Sequence, residues 1–321
     1  MKGRVLVIGG AGYIGSHVCK ALAAHDYIPI TYDSLVIGHR QSVKWGPFIK
    51  GDILDKALLV NTLKTFSPIA VFHLASYSNT RQSVLEAPSY YQNNLLGTAT
   101  VLESLTECPP AYFLFSSSAS VYGMGSSDPI KEDSPLHPTH PYGHTKLLSE
   151  YMVEGFCKQN NIHFANLRYF NAAGADPDKE IGETHDPETH LIPLLIQVIK
   201  KEKEYFPLLN SKHPTQDGTA KRDFIHVSDL AEGHIHALLW MNKYKKNITL
   251  NLGSGTGYTI LEIIQRLEAL TDHKIPIFMQ PSIEEPPSLI ADTAKMTSLF
   301  NWIPKRSNLD TIIETALNWH L

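Results

Sequence analysis

Tyr142 and Lys146 stand four residues apart in Pro141-Tyr142-Gly143-His144-Thr145-Lys146. On a helix, residues at that spacing share one face. A free phenol titrates near ~10 and is a weak base at neutral pH, but a neighbouring ammonium favours the phenolate. Tyr122, twenty residues upstream, lies in the serine-rich stretch Ser116-Ser117-Ser118-Ala119-Ser120-Val121-Tyr122-Gly123. A hydroxyl from that stretch can bridge the phenol and an oxygen that gains or loses a proton. Together these residues suit the removal of a proton from an alcohol. A Tyr-x-x-x-Lys pair also arises by chance on many helices, so its meaning depends on what accompanies it.

What accompanies it is a glycine loop at the start of the chain, Gly9-Gly10-Ala11-Gly12-Tyr13-Ile14-Gly15. It follows an apolar run at 5–8 and opens a helical pattern. Small residues there allow a tight turn and a close backbone approach to a pyrophosphate. The helix N-terminus adds free N–H groups and a partial positive charge. Asp33 lies eighteen residues beyond Gly15. A carboxylate at that point accepts hydrogen bonds from ribose hydroxyls and repels a 2′-phosphate, which favours NAD over NADP. In Gly51-Asp52-Ile53, Asp52 is placed to face the exocyclic amine of adenine and Ile53 its ring. Hydride transfer paired with proton transfer is the chemistry these residues suit.

Repeated strand-then-helix units must position them. Strands are expected at 5–8, 27–32, 70–74, 112–115 and 163–167, and helices at 13–25, 56–66, 90–105 and 142–159. This alternation predicts an α/β protein with a parallel, doubly wound sheet. After Gly174 the pattern changes. Residues 175–188 read as a loop, and 200–204 and 208–221 as irregular. A helix is expected over 228–241 with Ser228 as its N-cap. Further helices are expected at 259–271 and 309–321, and strands at 248–252 and 275–279. The expected division is a dinucleotide-binding domain over 1–174, with a returning segment about 222–252, and a smaller mixed substrate-binding portion over 175–321.

The chain has 321 residues, of which 43% are hydrophobic and 19% charged, and its formal net charge is −4. That charge gives no electrostatic case for nucleic acid or an anionic membrane as partner. No apolar stretch reaches the ~20 residues of a bilayer span, and the N-terminal run is too short for a secretory signal. The three cysteines, Cys19, Cys108 and Cys157, are odd in number and widely spaced. They read as reduced thiols in a cytoplasmic protein. His185 and His190 bracket an acidic loop, but without a third ligand at helical spacing no metal is expected.

The motifs together resemble the extended short-chain dehydrogenase/reductase family, and within it the nucleotide-sugar 4-epimerase branch. The resemblance also takes in Val71-Phe72-His73-Leu74-Ala75, Asn93-Asn94-Leu95-Leu96-Gly97-Thr98, Leu167-Arg168-Tyr169-Phe170-Asn171-Ala172-Ala173-Gly174 and Glu188-Thr189-His190-Leu191-Ile192-Pro193. It continues through Asp217–Val227 and Leu289-Ile290-Ala291-Asp292. It implies a Rossmann fold, NAD as cofactor, and inversion at C4 of a UDP-hexose. Tyr142 would be the base, Lys146 its electrostatic partner and Ser118 the hydroxyl bridge. Leu74, Ala75, Asn94, Ser116 and Tyr169 would join the glycine loop around the cofactor, with Tyr169 near the nicotinamide. Asn171 and Arg222 would hold the sugar diphosphate, and His190 and Leu191 would lie by the uridine. The helices near 90–105 and 142–159 would form a homodimer interface.

The sequence departs from the family pattern at three places. Ser78 stands where a cofactor-contacting lysine is usual. Ser282-Ile283-Glu284-Glu285 replaces an Arg-Pro-Gly-Asp stretch whose arginine reaches the diphosphate. Leu289 replaces an aromatic found in some members at a position that limits sugar size. Sugar 4,6-dehydratases carry an Asp-Glu pair where this chain has Ser118-Ala119, so elimination lacks its acid and base. The readings left open are epimerisation of another nucleotide sugar (a pentose, uronate or N-acetylhexosamine), reduction of a nucleotide sugar, and, most remotely, non-catalytic NAD sensing.

Overall fold

The computed structural model describes residues 2–125, 129–210, 212–282 and 284–321. Its strands are β1 (Gly3–Ile8), β2 (Tyr27–Asp33), β3 (Phe48–Lys50), β4 (Ala70–His73), β5 (Tyr112–Ser118), β6 (His163–Tyr169), β7 (Asn171–Ala173), β8 (Phe206–Leu209), β9 (Lys221–His226), β10 (Ile248–Leu252), β11 (Gly257–Thr259), β12 (Ile277–Gln280) and β13 (Ser288–Leu289). Its α-helices are α1 (Tyr13–Ala24), α2 (Lys56–Phe66), α3 (Thr80–Leu85), α4 (Ala87–Tyr90), α5 (Gly97–Leu105), α6 (Pro141–Gln159), α7 (Leu191–Ile199), α8 (Val227–Tyr244), α9 (Ile260–Thr271), α10 (Ala294–Phe300) and α11 (Leu309–His320).

Seven strands form one sheet in the order β10-β6-β5-β4-β1-β2-β3, and every neighbouring pair is parallel. Both faces are covered. On one, Val5, Val7, Phe72 and Leu114 pack with α1 and α8; on the other, Leu6, Ile8, Val71 and Phe113 pack with α2, α5 and α6. Near-continuous apolar strands are what a sheet buried on both sides requires. Chain order reverses between β1 and β4, which opens a crevice at the carboxyl ends of the strands. This is the expected doubly wound α/β fold. A smaller mixed part has β9 joined to β7, β11 and β13, and the pair β8 and β12, over its own apolar cluster around Leu195, Phe224, Ile263 and Ile312.

Three local expectations change. The segment returning to the large sheet is α8 with β10, whereas β9, including Arg222, stays in the smaller sheet. The N-cap of α8 is His226, not Ser228: the His226 Nδ1 accepts the Ser228 N–H at 3.1 Å, and Ser228 already has helical geometry. The helix expected over 90–105 opens as a π-helical turn, Tyr91–Leu96, before α5. Two regular elements were not expected: α7, in the apolar run 191–199, and β8, which reaches into the stretch read as irregular.

A buried ion pair fastens β5, β6 and α6 together. Arg168 on β6 donates from Nε and NH2 to the two carboxylate oxygens of Glu150 on α6, at 2.9 and 2.7 Å. Both side chains are 5% exposed. Ser117 on β5 also donates to Glu150. Arg168 NH1 reaches the Tyr122 hydroxyl at 2.9 Å, and that hydroxyl donates to Asn251 on β10 at 2.7 Å. Removing one partner leaves the other charge buried and unpaired, which costs about 3–5 kcal/mol. Arg168→Met is expected to lose that much in urea unfolding. A loss under about 1 kcal/mol would mean that the pair does not hold these elements.

Candidate active site

A cavity of about 920 Å³ runs along the carboxyl ends of the strands. Gly9, Gly12, Tyr13, Ile14, Gly15, Asp33, Asp52, Ile53, Leu74, Ala75 and Ser116 line its large-sheet side. Ser118, Tyr142, Lys146 and Tyr169 lie at its middle, and Asn171, His190, Leu191 and Arg222 line the smaller part. The structure therefore brings all but one of the residues expected to act in catalysis or to bind cofactor or substrate to a single space. The exception is Asn94, which is buried beside the cavity while Asn93 lines it. Asn94 accepts the Tyr77 N–H at 2.8 Å and donates to the Tyr77 carbonyl at 2.9 Å and Thr145 Oγ1 at 3.2 Å. These bonds fasten the 74–79 loop to α6.

The glycine turn fits a dinucleotide. Gly9 has φ +85°, and a Cβ there would meet the Ala75 nitrogen at 2.5 Å. At Gly15 a Cβ would sit 2.0 Å from the Gly9 carbonyl oxygen, so α1 can start against the turn only with glycine there. Gly12 is the N-cap of α1 and supplies no side-chain cap, and the first turn holds no acid. The N–H groups and positive end of the helix thus face the cavity. Asp33 is held at the end of β2 by the Ala11 and Leu35 N–H groups, at 3.0 and 2.8 Å. Burial raises its pKa, and those two hydrogen bonds act against the rise.

The catalytic candidates come from two neighbouring elements. Ser118 ends β5, and Tyr142 and Lys146 occupy the first turns of α6. His140 caps α6 by accepting the Gly143 N–H at 3.1 Å. Burial raises the Tyr142 pKa, and a hydrogen bond with Ser118 works to lower it. Lys146 Nζ donates to the Ser116 carbonyl at 2.7 Å and to Ser116 Oγ at 3.2 Å. It stands 5.8 Å from the centroid of the Tyr142 ring. Burial pushes its pKa down to about 7, with Glu150 pulling upward. Proximity of an ammonium is therefore only part of the electrostatics, because desolvation disfavours the charged form of both residues.

Tyr169 is a different kind of tyrosine. His234 Nδ1 lies 2.8 Å from the Leu230 carbonyl and so carries the proton, which leaves Nε2 to accept from the Tyr169 hydroxyl. The Tyr169 hydroxyl is thus engaged by His234, and it also meets the Ser116 side chain at the cavity. Burial also raises its pKa far above the ordinary value.

At the other end, Arg222 does not stand free. Its guanidinium donates to Glu285 Oε2 at 2.9 Å and to the Pro286 and Lys221 carbonyls at 2.8 and 3.0 Å. The sequence reading expected acids at 284–285 to oppose a diphosphate; here Glu285 is the partner of Arg222. Ile283 of that stretch lies outside the described residues. The Asn171 side chain donates to the Asp223 carbonyl at 2.9 Å, tying β7 to β9.

The sequence reading missed Glu183, Glu188, Phe206 and Pro207 on this wall. The run 191–199, apolar throughout except Gln197 and placed directly after Glu188-Thr189-His190, was the signal for α7 and its polar lip.

Fold and cavity define a class: α/β proteins with a dinucleotide-type glycine turn and a Ser–Tyr–Lys set in one crevice. The chain belongs to the NAD dependent epimerase/dehydratase family, whose model matches residues 5–253. A UDP-glucose 4-epimerase of Lactobacillus helveticus is 41% identical over 99% of this chain and 97% of its own length. The crystal structure of UDP-glucose 4-epimerase from Brucella ovis in complex with NAD superposes with TM-score 0.96 at 41% identity, covering 99% of each chain. The UDP-glucose 4-epimerase from Bifidobacterium longum in complex with NAD+ and UDP gives 0.93 at 30% identity over 98% of this chain and 97% of that one.

Lys146 should carry a stability cost that depends on pH. Its folded pKa, about 7, is below the unfolded value of ~10.4. Between those values the unfolded chain binds more protons, so this group's contribution makes stability rise with pH. Lys146→Met should thus gain most over the wild type at or below pH ~7, and the gain should shrink toward pH ~10. Urea midpoints for both proteins across that window test this; a difference that stays flat would contradict it.

Proposed function

We propose that this chain is an NAD-dependent epimerase acting at C4 of a UDP-hexose and interconverting UDP-glucose and UDP-galactose. The observation that carries the reading is the single cavity that joins a dinucleotide-type glycine turn to Ser118, Tyr142 and Lys146, in a chain about 40% identical over its full length to UDP-glucose 4-epimerases. On this reading the glycine turn, Asp33, Asp52 and Ile53 hold NAD. The wall formed by Asn171, His190, Leu191 and Arg222 holds the UDP. The segment 1–174, with α8 and β10 returning to it, serves as the cofactor domain and the rest of 175–321 as the substrate portion.

NAD, when bound, supplies the hydride acceptor and donor that the side chains lack, so that C4 passes through a ketone and is reduced again. Tyr142 Oη, as phenolate, takes the C4 hydroxyl proton and later returns it. The Ser118 hydroxyl bridges the phenol and the sugar oxygen and keeps them in line. Lys146, anchored on Ser116, places its charge behind the phenol. Inversion requires the keto sugar to present its other face, so the UDP end is the fixed anchor and the hexose is held loosely.

Incubating the purified protein with UDP-galactose and no added NAD should yield UDP-glucose. Tyr142→Phe should turn over ~10²–10⁴-fold more slowly. Near-normal turnover by this variant would remove Tyr142 as the base. A substrate panel in which a UDP-pentose, uronate or N-acetylhexosamine is turned over far faster than UDP-galactose would shift the assignment to that sugar.

The protein works as a cytoplasmic homodimer on this reading. No helix among the described residues is long and apolar enough to cross a membrane. Leu96, at 54% exposure, and Leu148 and Tyr151 on α6, at 42% and 57%, offer an apolar face of the kind that two copies would cover. Light scattering at micromolar concentration should show a dimer, and Leu148→Asp combined with Tyr151→Asp should give a monomer. A monomeric wild type would overturn this part.

A further inference from the structure

The 183–190 loop and the start of α7 place two imidazoles and two carboxylates together. One donor atom from each of Glu183, His185, Glu188 and His190 lies within 4.8 Å of every other. Glu183 Oε1 is 3.0 Å from His185 Nδ1 and 2.7 Å from His190 Nδ1, and Glu188 Oε1 is 3.1 Å from the same His190 nitrogen. The two carboxylates are 4% and 3% exposed. The chain fixes this arrangement from outside as well. The Trp319 indole donates to the Glu183 carbonyl at 3.0 Å, and the His190 N–H donates to Glu188 Oε1 at 2.8 Å.

We infer that this cluster is a binding site for a divalent transition metal of the zinc class. Four ligands at ~2.0–2.1 Å around a tetrahedral ion stand about 3.3 Å apart. Three of the donor pairs, at 2.7–3.1 Å, lie just inside that spacing and every pair lies within 4.8 Å, so side-chain adjustments of roughly 1 Å bring all four to one ion. Charge favours the ion. Two buried carboxylates side by side carry charge that a dication balances. Mixed imidazole and carboxylate donors suit zinc, cobalt or nickel better than magnesium or calcium, which take oxygen ligands. The contrast lies nearby. Asp176, Asp178 and Glu180 also converge, but Lys20 Nζ already supplies their cation at 2.7–2.9 Å. Among the described residues, the 183–190 cluster has no lysine or arginine as an ion-pair partner. An ion there would join the loop to the first turn of α7 and stiffen the wall opposite the catalytic tyrosine. It would serve as a structural ion and not as the site of the redox chemistry.

Cobalt(II) titration of tag-free, metal-stripped holoprotein tests this. One equivalent should produce the visible absorption of tetrahedral cobalt, zinc should abolish that absorption, and excess magnesium should leave it. Saturating zinc should raise the unfolding midpoint, as any ligand specific to the native state does. His185→Gln should weaken cobalt binding at least ~10-fold and remove the zinc-dependent shift. Circular dichroism and NAD content of this variant show whether the fold survives. If it does not, His185→Asn is measured in its place. Absence of the cobalt band in the wild type, or an equal band in a folded variant, would overturn the proposal.

Discussion

The bidentate contact between Arg168 and Glu150 lies directly behind every residue proposed to act on the sugar. Glu150 is one helical turn beyond Lys146 and two beyond Tyr142. Ser117, which donates to Glu150, sits between Ser116 and Ser118. Arg168 immediately precedes Tyr169. One buried pair thus sets the rotation of α6, the register of β5 against β6, and through Tyr122 and Asn251 the position of the returning strand β10. A surface ion pair would contribute too little to do this. A buried pair is no sure gain over an apolar contact, but it tolerates only the geometry that satisfies both charges. For a site that needs a phenol, an ammonium and a hydroxyl from different elements at fixed separations, that intolerance is the useful property.

The same burial creates the central electrostatic tension. A low-dielectric crevice raises the cost of the phenolate at Tyr142 and of the ammonium at Lys146 together. Neither ion is comfortable alone, and each favours the other when both are present. Lys146 takes two acceptors from Ser116, which orient the amine without cancelling a charge. Glu150, the nearest acid, is engaged with Arg168. The ion pair behind the site therefore keeps its carboxylate from neutralising the lysine while still favouring the lysine's charged form.

How far the sequence revealed this depended on how local each signal was. The glycine turn was legible because strand, turn and helix follow one another within a dozen residues. The Tyr142–Lys146 pair was legible because a helix fixes its spacing. The doubly wound sheet followed from apolar strands alternating with helical patterns. What stayed hidden depended on pairing across distance. Strand β9 begins at Lys221, the end of a stretch read as irregular, while Arg222 and Asp223 were read with the segment returning to the large sheet; only the pairing with β7, β11 and β13 places them in the smaller one. Asn94 belonged to a recognised motif, yet only the fold shows its amide turned to Tyr77 and Thr145. His185 and His190 were read without a third ligand at helical spacing, and only the folded loop shows Glu183 and Glu188 beside them.

Arg222 shows why a motif and its environment must be read together. Matched to a family pattern, it is a cation waiting for a phosphate, with Glu284 and Glu285 as unfavourable neighbours. In the folded chain Glu285 is what holds the guanidinium, which is largely buried and disfavoured by desolvation. The pair is close to neutral, so an incoming diphosphate meets less attraction than a free arginine would offer. It also meets an arginine already oriented by the Pro286 and Lys221 carbonyls, so less side-chain freedom is lost when the anion arrives. These effects oppose each other in affinity but agree in geometry. Both favour a substrate whose pyrophosphate can share the guanidinium with Glu285 over one that must displace it. On the proposed function, an anchor of that kind would hold the nucleotide end in one orientation while leaving the hexose free to turn, which is what inversion at a single carbon requires.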